Sequence, residues 1–175
     1  MERFQQRTAP ECPAALVTEA EQGWALMIEM LRTRGEMQPV SGLYRYDAVR
    51  DVLTLVGEVV LASPLRDDDK LSFSAAIRQA IKHLGADCLF FAADTWCSPG
   101  GFPGRREEAP DRRECLLLQI ELRNGDCWLA SQYYSRVAGR ILIPDVMPEL
   151  QHQPAQAAAG LMQNWWSPTP VVMNN

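Results

Sequence analysis

Residues 114–136, ECLLLQIELRNGDCWLASQYYSR, hold two runs of alternating character separated by Asn124-Gly125, and their reading decides the fold. A period of two marks half-buried strands, and Asn-Gly is the preferred pair of a type I′ hairpin turn. Such a turn pairs Arg123 with Asp126, which sets Leu122 opposite Cys127, Glu121 opposite Trp128, Ile120 opposite Leu129 and Leu118 opposite Ser131. Leu116, Leu118, Ile120, Leu122, Cys127 and Leu129 then share the buried face, with Leu117, Gln119, Glu121, Trp128 and Ala130 on the other. A last short strand is expected at Arg140–Ile143, after a turn at Ala138-Gly139 and before Pro144.

Toward the N-terminus, the apolar run ADCLFFAADTW reads as a central strand leaving through Asp94, Thr95 and Trp96. Before it, Phe73, Ile77, Ala80, Ile81 and Leu84 recur at helical spacing, with the acidic run Asp67–Asp69 suited to capping and Gly85 to closing the helix. Consecutive carboxylates diverge along a backbone, so these three are read as caps rather than metal ligands. VSGLYRYDAVRDVLTLVGEVVLA, residues 40–62, reads as a hairpin interrupted at DAVRD, its second run apolar on both faces apart from Thr54 and Glu58. Leu16, Ala20, Trp24, Met27, Ile28 and Leu31 mark an amphipathic helix of about twenty residues between Pro13 and Gly35.

The expected architecture is α+β: a mostly antiparallel sheet of about five to six strands, order α-β-β-α-β-β-β-β, with two main helices packed on one face. Residues 1–12 are expected as a flexible tail, 13–147 as one domain, and 148–175 as a tail or helix carrying Trp165 and Trp166.

The chain has 175 residues, 47% of them apolar, and a formal charge of −5 from 22 acidic and 17 basic side chains. That size and composition support one domain with a real core, and the acidic balance without a basic block argues against nucleic acid as a partner. The five cysteines, Cys12, Cys88, Cys97, Cys115 and Cys127, include no CxxC pair and read as reduced thiols. The N-terminus has no apolar leader pattern and no window suits a membrane span, so a cytoplasmic setting without membrane or cofactor is expected.

The connection between the central strand and the hairpin, residues 94–114, DTWCSPGGFPGRREEAPDRRE, is long for a compact domain, and length of this kind favours function. Asp94, Glu114 and Glu121 at strand ends could hold a metal as in a nuclease or hydrolase, but Arg123 stands where that pattern needs a lysine base. Cys97 would need His83 or His152 as its base, and both are distant in sequence. No G-x-S-x-G elbow and no phosphate-binding glycine fingerprint is present.

Residues 70–127, through GADCLFFAADTW and then PDRRECLLLQIELRNGD, resemble a group of uncharacterised small bacterial and mobile-element proteins. In that group a strand ends in an acidic residue near a Trp, commonly Glu-Ala-Trp, and a Pro-Asp-Arg-x-Glu segment opens the next hairpin. Here the corresponding residues are Asp94-Thr95-Trp96. The resemblance implies a local constellation of Asp94, Trp96, Asp111, Arg112 and Glu114, and carries no activity. The missing catalytic set, the small acidic chain and the adjacent tryptophans point instead to the functional expectation, a non-catalytic protein-binding factor of a phage or mobile element that engages host machinery. Its contacts are expected from Trp165, Trp166, Arg105, Arg106, Arg112 and Arg113, with a second copy of the chain as one candidate partner.

Overall fold

The computed structural model describes residues 10–61, 67–97, 113–153 and 165–166, with 67–71 described in the backbone alone. The elements run α1 (Ala14–Arg34), β1 (Val40–Asp47), β2 (Val52–Val60), α2 (Asp67–Leu84), β3 (Cys88–Cys97), β4 (Arg113–Leu122), β5 (Cys127–Tyr133), β6 (Ser135–Val137), β7 (Arg140–Leu142) and β8 (Gln151–Gln153). Six strands form one sheet in the order β2-β1-β3-β4-β5-β8, every pairing antiparallel, while β6 and β7 form a separate two-stranded ribbon. This is the α+β class that the periodicities imply.

The two helices pack on opposite faces of the sheet, not on one. Leu16, Ala20, Trp24, Met27, Ile28 and Leu31 of α1 bury against Cys88, Phe90, Ala92, Leu116, Leu118 and Ile120. Phe73, Ile77 and Ile81 of α2 bury against Leu43, Leu89, Phe91 and Ala93 on the other side. The physical reason is in β3 itself: successive strand residues point to opposite faces, and the uniformly apolar run Cys88–Ala93 requires cover on both.

The hairpin of β4 and β5 differs by one residue from the expected register. Glu121 lies opposite Cys127, Ile120 opposite Trp128, Gln119 opposite Leu129 and Leu118 opposite Ala130. The loop explains the shift. Gly125 N–H donates to Leu122 O at 2.9 Å and Leu122 N–H to Asp126 O at 2.8 Å, enclosing Arg123, Asn124 and Gly125. Gly125 takes a φ of 94° whereas Asn124 is not among the positive-φ residues, so a type I turn followed by a left-handed glycine replaces type I′. Trp128 and Ala130 consequently join Leu116, Leu118, Ile120 and Leu122 on the α1 face, and Cys127 and Leu129 move to the other. Positive φ at both central residues, as type I′ demands, occurs instead at Ala138 (50°) and Gly139 (75°) between β6 and β7.

Both helices close through left-handed glycines. Gly35 N–H donates to Leu31 O at 2.9 Å, and beyond Gly85 the Ala86 N–H reaches Ile81 O at 3.2 Å. The N-terminus of α1 lacks a local cap: Asp51, in the β1–β2 turn at a φ of 51°, accepts the Ala15 N–H at 3.2 Å and the Tyr46 hydroxyl at 2.9 Å. The hairpin turn thereby fixes the start of the helix above it. Parts of the 148–175 segment are built into the body, since β8 pairs with β5 and Trp165 is 2% exposed among the α2-side core residues.

At Gly57 a Cβ would stand 2.5 Å from Leu84 Cδ1, so the end of α2 rests on this bare position of β2. Gly57→Val is expected to cost about 1–3 kcal/mol through overpacking. Chemical denaturation of Gly57→Val alone and combined with Leu84→Ala checks this, the second change relieving part of the loss if the contact is the cause.

Candidate functional site

Asp94 near the end of β3 and Glu114 near the start of β4 share the α1 face, because Asp94 pairs with Leu116 and Trp96 with Glu114. The chain after β5 closes over them. Tyr134 N–H donates to Glu114 O at 3.1 Å, and the Tyr134 hydroxyl lies 2.6 Å from Asp94 Oδ1 and 3.3 Å from Glu114 Oε1. A phenol carries one hydrogen, and the shorter contact identifies Asp94 as its acceptor. Arg136 then completes the cluster: Nε donates to Glu114 Oε1 at 2.6 Å, Nη1 to Gly35 O at 2.6 Å and Nη2 to the Tyr134 oxygen at 3.1 Å. Its distance to Asp94 Oδ2, 4.0 Å, is at the outer limit of an ion pair.

Burial pushes the Asp94 carboxyl above its ordinary range, while the Tyr134 hydroxyl, the Arg136 charge and the Met37 N–H pull it back without cancelling the effect. Burial and the Asp94 hydrogen bond likewise raise the Tyr134 phenol, which is not available as a base. The cluster joins β3, β4, the β5–β6 segment and the C-terminal end of α1. The contacts of Tyr134 and Arg136 tie these elements together, which makes the cluster a latch. Tyr134→Phe is expected to cost about 1–3 kcal/mol by leaving the half-buried Asp94 carboxylate without its closest donor. The sign with pH follows from the Tyr134 hydroxyl, which favours the charged Asp94: the loss shrinks as pH falls below 3.8, where Asp94 is protonated both folded and unfolded, and grows as pH rises through the raised folded pKa. Urea unfolding of the two proteins across that range checks it.

Of the expected constellation, Asp94, Trp96 and Glu114 do come together, with Trp96 about half exposed beside the latch. Asp111 and Arg112 lie outside the described residues, as do Arg105 and Arg106. Arg113 is exposed at the start of β4. Tyr134 and Arg136 carry no local signature and were not among the expected site residues. Only the path of the chain after β5 places them.

The three carboxylates proposed for a metal do not converge. Glu121 lies on the opposite face from Asp94 and Glu114 and pairs with Leu89, several positions along the strand. It is buried, accepts a hydrogen bond from Gln119 Nε2 at 3.3 Å, and is raised by desolvation from about 4.5 to about 7. Among the described residues no three His, Cys, Asp or Glu side chains group as a metal site. Cys97 and the two imidazoles are also apart, because Cys97 pairs with Arg113 at one end of the sheet while His152 packs on Trp128 at the other. His83 sits at the end of α2, whose Leu84 contacts Gly57, itself opposite Leu43 and so in line with Leu89. The thiol that Cys97 does meet is Cys115. All five cysteines are free of disulfides.

Trp165, expected as a partner contact, is buried instead, its ring centroid 6.4 Å from that of Phe91, and Trp166 is half-buried against the same cluster. A large apolar ring gains more from covering the α2 face of the sheet than from waiting in water.

Exposed apolar area gathers elsewhere. Of the nine large hydrophobic residues that are exposed among those described, Val49, Val52, Leu55 and Val60 fall in or beside β2. Among the described strands β2 is the outermost of the sheet, nine residues long, and Glu58 is its only charge. The opposite edge is the three-residue β8. Short strands and charges are how sheet edges are kept from pairing, and β2 has little of either protection beyond a bulge at Val56. No described helix is long and apolar enough to cross a membrane. No family model, curated protein or solved structure matches this chain.

Proposed function

We propose that this chain is a non-catalytic binding protein that acts through protein–protein contacts, with the outer edge of β2 as its docking strand. The observation that carries the reading is the nine-residue edge with Val52, Leu55 and Val60 each about half exposed. An edge that pairs with no described strand offers backbone N–H and C=O groups for strand addition, and flanking apolar side chains supply selectivity. The separation of Glu121 from Asp94 and Glu114, and of Cys97 from both imidazoles, supports binding over catalysis. Host machinery is the partner class that a small, acidic chain without a catalytic set suits, with a second copy of the chain as the other candidate.

Leu55→Lys tests the reading, since it places a charge on the edge without touching the buried core. Affinity capture with each protein is compared after circular dichroism has shown equal folding. Stoichiometric partners, including the chain itself, that the original protein recovers and Leu55→Lys does not are expected. Identical recoveries from the two would overturn the assignment of this edge.

A further inference from the structure

We infer that β2 pairs with β2 of a second copy about a two-fold axis through Thr54, joining two sheets into one; this rests on the docking role proposed for that edge. Residues directly opposite in neighbouring antiparallel strands share a face of the sheet. In a two-fold pairing, each residue and the one it meets must therefore lie on the same face of their own strand.

The bulge restricts which register can satisfy this condition. Leu43 pairs with Gly57 and Tyr44 with Leu55, so Val56 is the extra residue and the alternation of faces is interrupted there. Leu53 packs on the α1 side, whereas Val56 and Val59 pack on the α2 side. A pairing through the whole of β2 would set Val52 against the partner's Val60 on different faces, and is excluded. Within the regular stretch Val52–Val56, centring on Thr54 uses every residue. Leu53 then meets the partner's Leu55 on the α1 face, and Val52 meets the partner's Val56 on the α2 face. Thr54 meets the partner's Thr54, a favourable cross-strand pair.

Charge favours the same register. Beyond the paired stretch it brings Arg50, exposed in the β1–β2 turn, toward the partner's Glu58, and the symmetry repeats that attraction. Centring on Glu58 would instead oppose two carboxylates, which is destabilising. The pairing closes the long edge of both copies and leaves the short β8 edges as the outer edges of the described six-stranded sheet, which favours association of two copies. A five-residue strand pair buries less than a standard interface, and the dimer should dissociate on dilution.

Sedimentation velocity of the full chain across a wide concentration range, with Thr54→Cys and Val60→Cys oxidised by oxidised glutathione, tests the inference. A concentration-dependent dimer is expected, with covalent dimer formed by Thr54→Cys well above the level in the original chain and not by Val60→Cys. Leu55→Lys should shift the monomer–dimer midpoint at least roughly ten-fold upward, the effect of losing about 1.4 kcal/mol. A monomer at every concentration, or cross-linking at residue 60 and not at 54, would overturn it. A monomeric chain that still loses another partner on Leu55→Lys would leave the docking role standing and remove only the self-pairing.

Discussion

Trp165→Ala is expected to lower the unfolding free energy by about 3–5 kcal/mol, the usual cost of emptying the space of a buried tryptophan. Its ring is 2% exposed and is one of the largest fully buried side chains, packed with Phe91, Phe73, Ile77 and Ala93. Those residues belong to β3 and α2, so the loss should appear in global unfolding and not as fraying of a tail. Trp96→Ala provides the contrast, since Trp96 is about half exposed and should change stability far less. Guanidinium unfolding followed by far-ultraviolet circular dichroism distinguishes them. Equal midpoints for Trp165→Ala and the original chain would show that the C-terminal segment does not cover the sheet.

Glu121→Gln is expected to stabilise the protein above pH 7. Burial raises this carboxyl from about 4.5 to about 7, with the Gln119 hydrogen bond offsetting only part of the desolvation. A raised acid is more readily protonated when folded, so its favourable contribution is complete below 4.5 and is lost as pH climbs through about 7. At about 1.4 kcal/mol per pH unit, that interval corresponds to roughly 3 kcal/mol. Gln119 and Glu121 are 3% and 7% exposed, so solvent screening removes little of it. The glutamine keeps the size and an acceptor oxygen without the charge. The difference in unfolding free energy between the two proteins should be near zero at pH 4.5 and should reach its maximum by pH 8. A constant difference across this range would mean that Glu121 titrates as an exposed acid.

Much of the architecture was written in local pattern. Six apolar positions of α1, from Leu16 to Leu31, were legible from spacing alone and are all buried. The closing glycines at 35 and 85 were legible for the same reason, because a helix end needs a residue at ease with positive φ. The β4–β5 register was missed because Asn-Gly is compatible with two loop lengths, and one residue reverses every face. The side taken by α2 was also missed, although the uninterrupted apolar run of β3 already required cover above and below. Asp51 as the cap of α1 and Tyr134–Arg136 as the partners of Asp94 and Glu114 depend on contacts far apart in sequence. No period or spacing reports such contacts. Trp165 shows the same limit, since an aromatic residue in a polar segment reads alike whether it meets its own sheet or another molecule.

The most direct measurement on the open edge is amide hydrogen exchange across residues 52–56 as the protein is concentrated. The amides of this stretch that face away from β1 should slow by roughly ten-fold or more between dilute and concentrated solution, and should stay fast at both in Leu55→Lys. Exchange at these amides that is equally fast at every concentration, and identical in the two proteins, would contradict the assignment of β2 as a strand that pairs with a second copy.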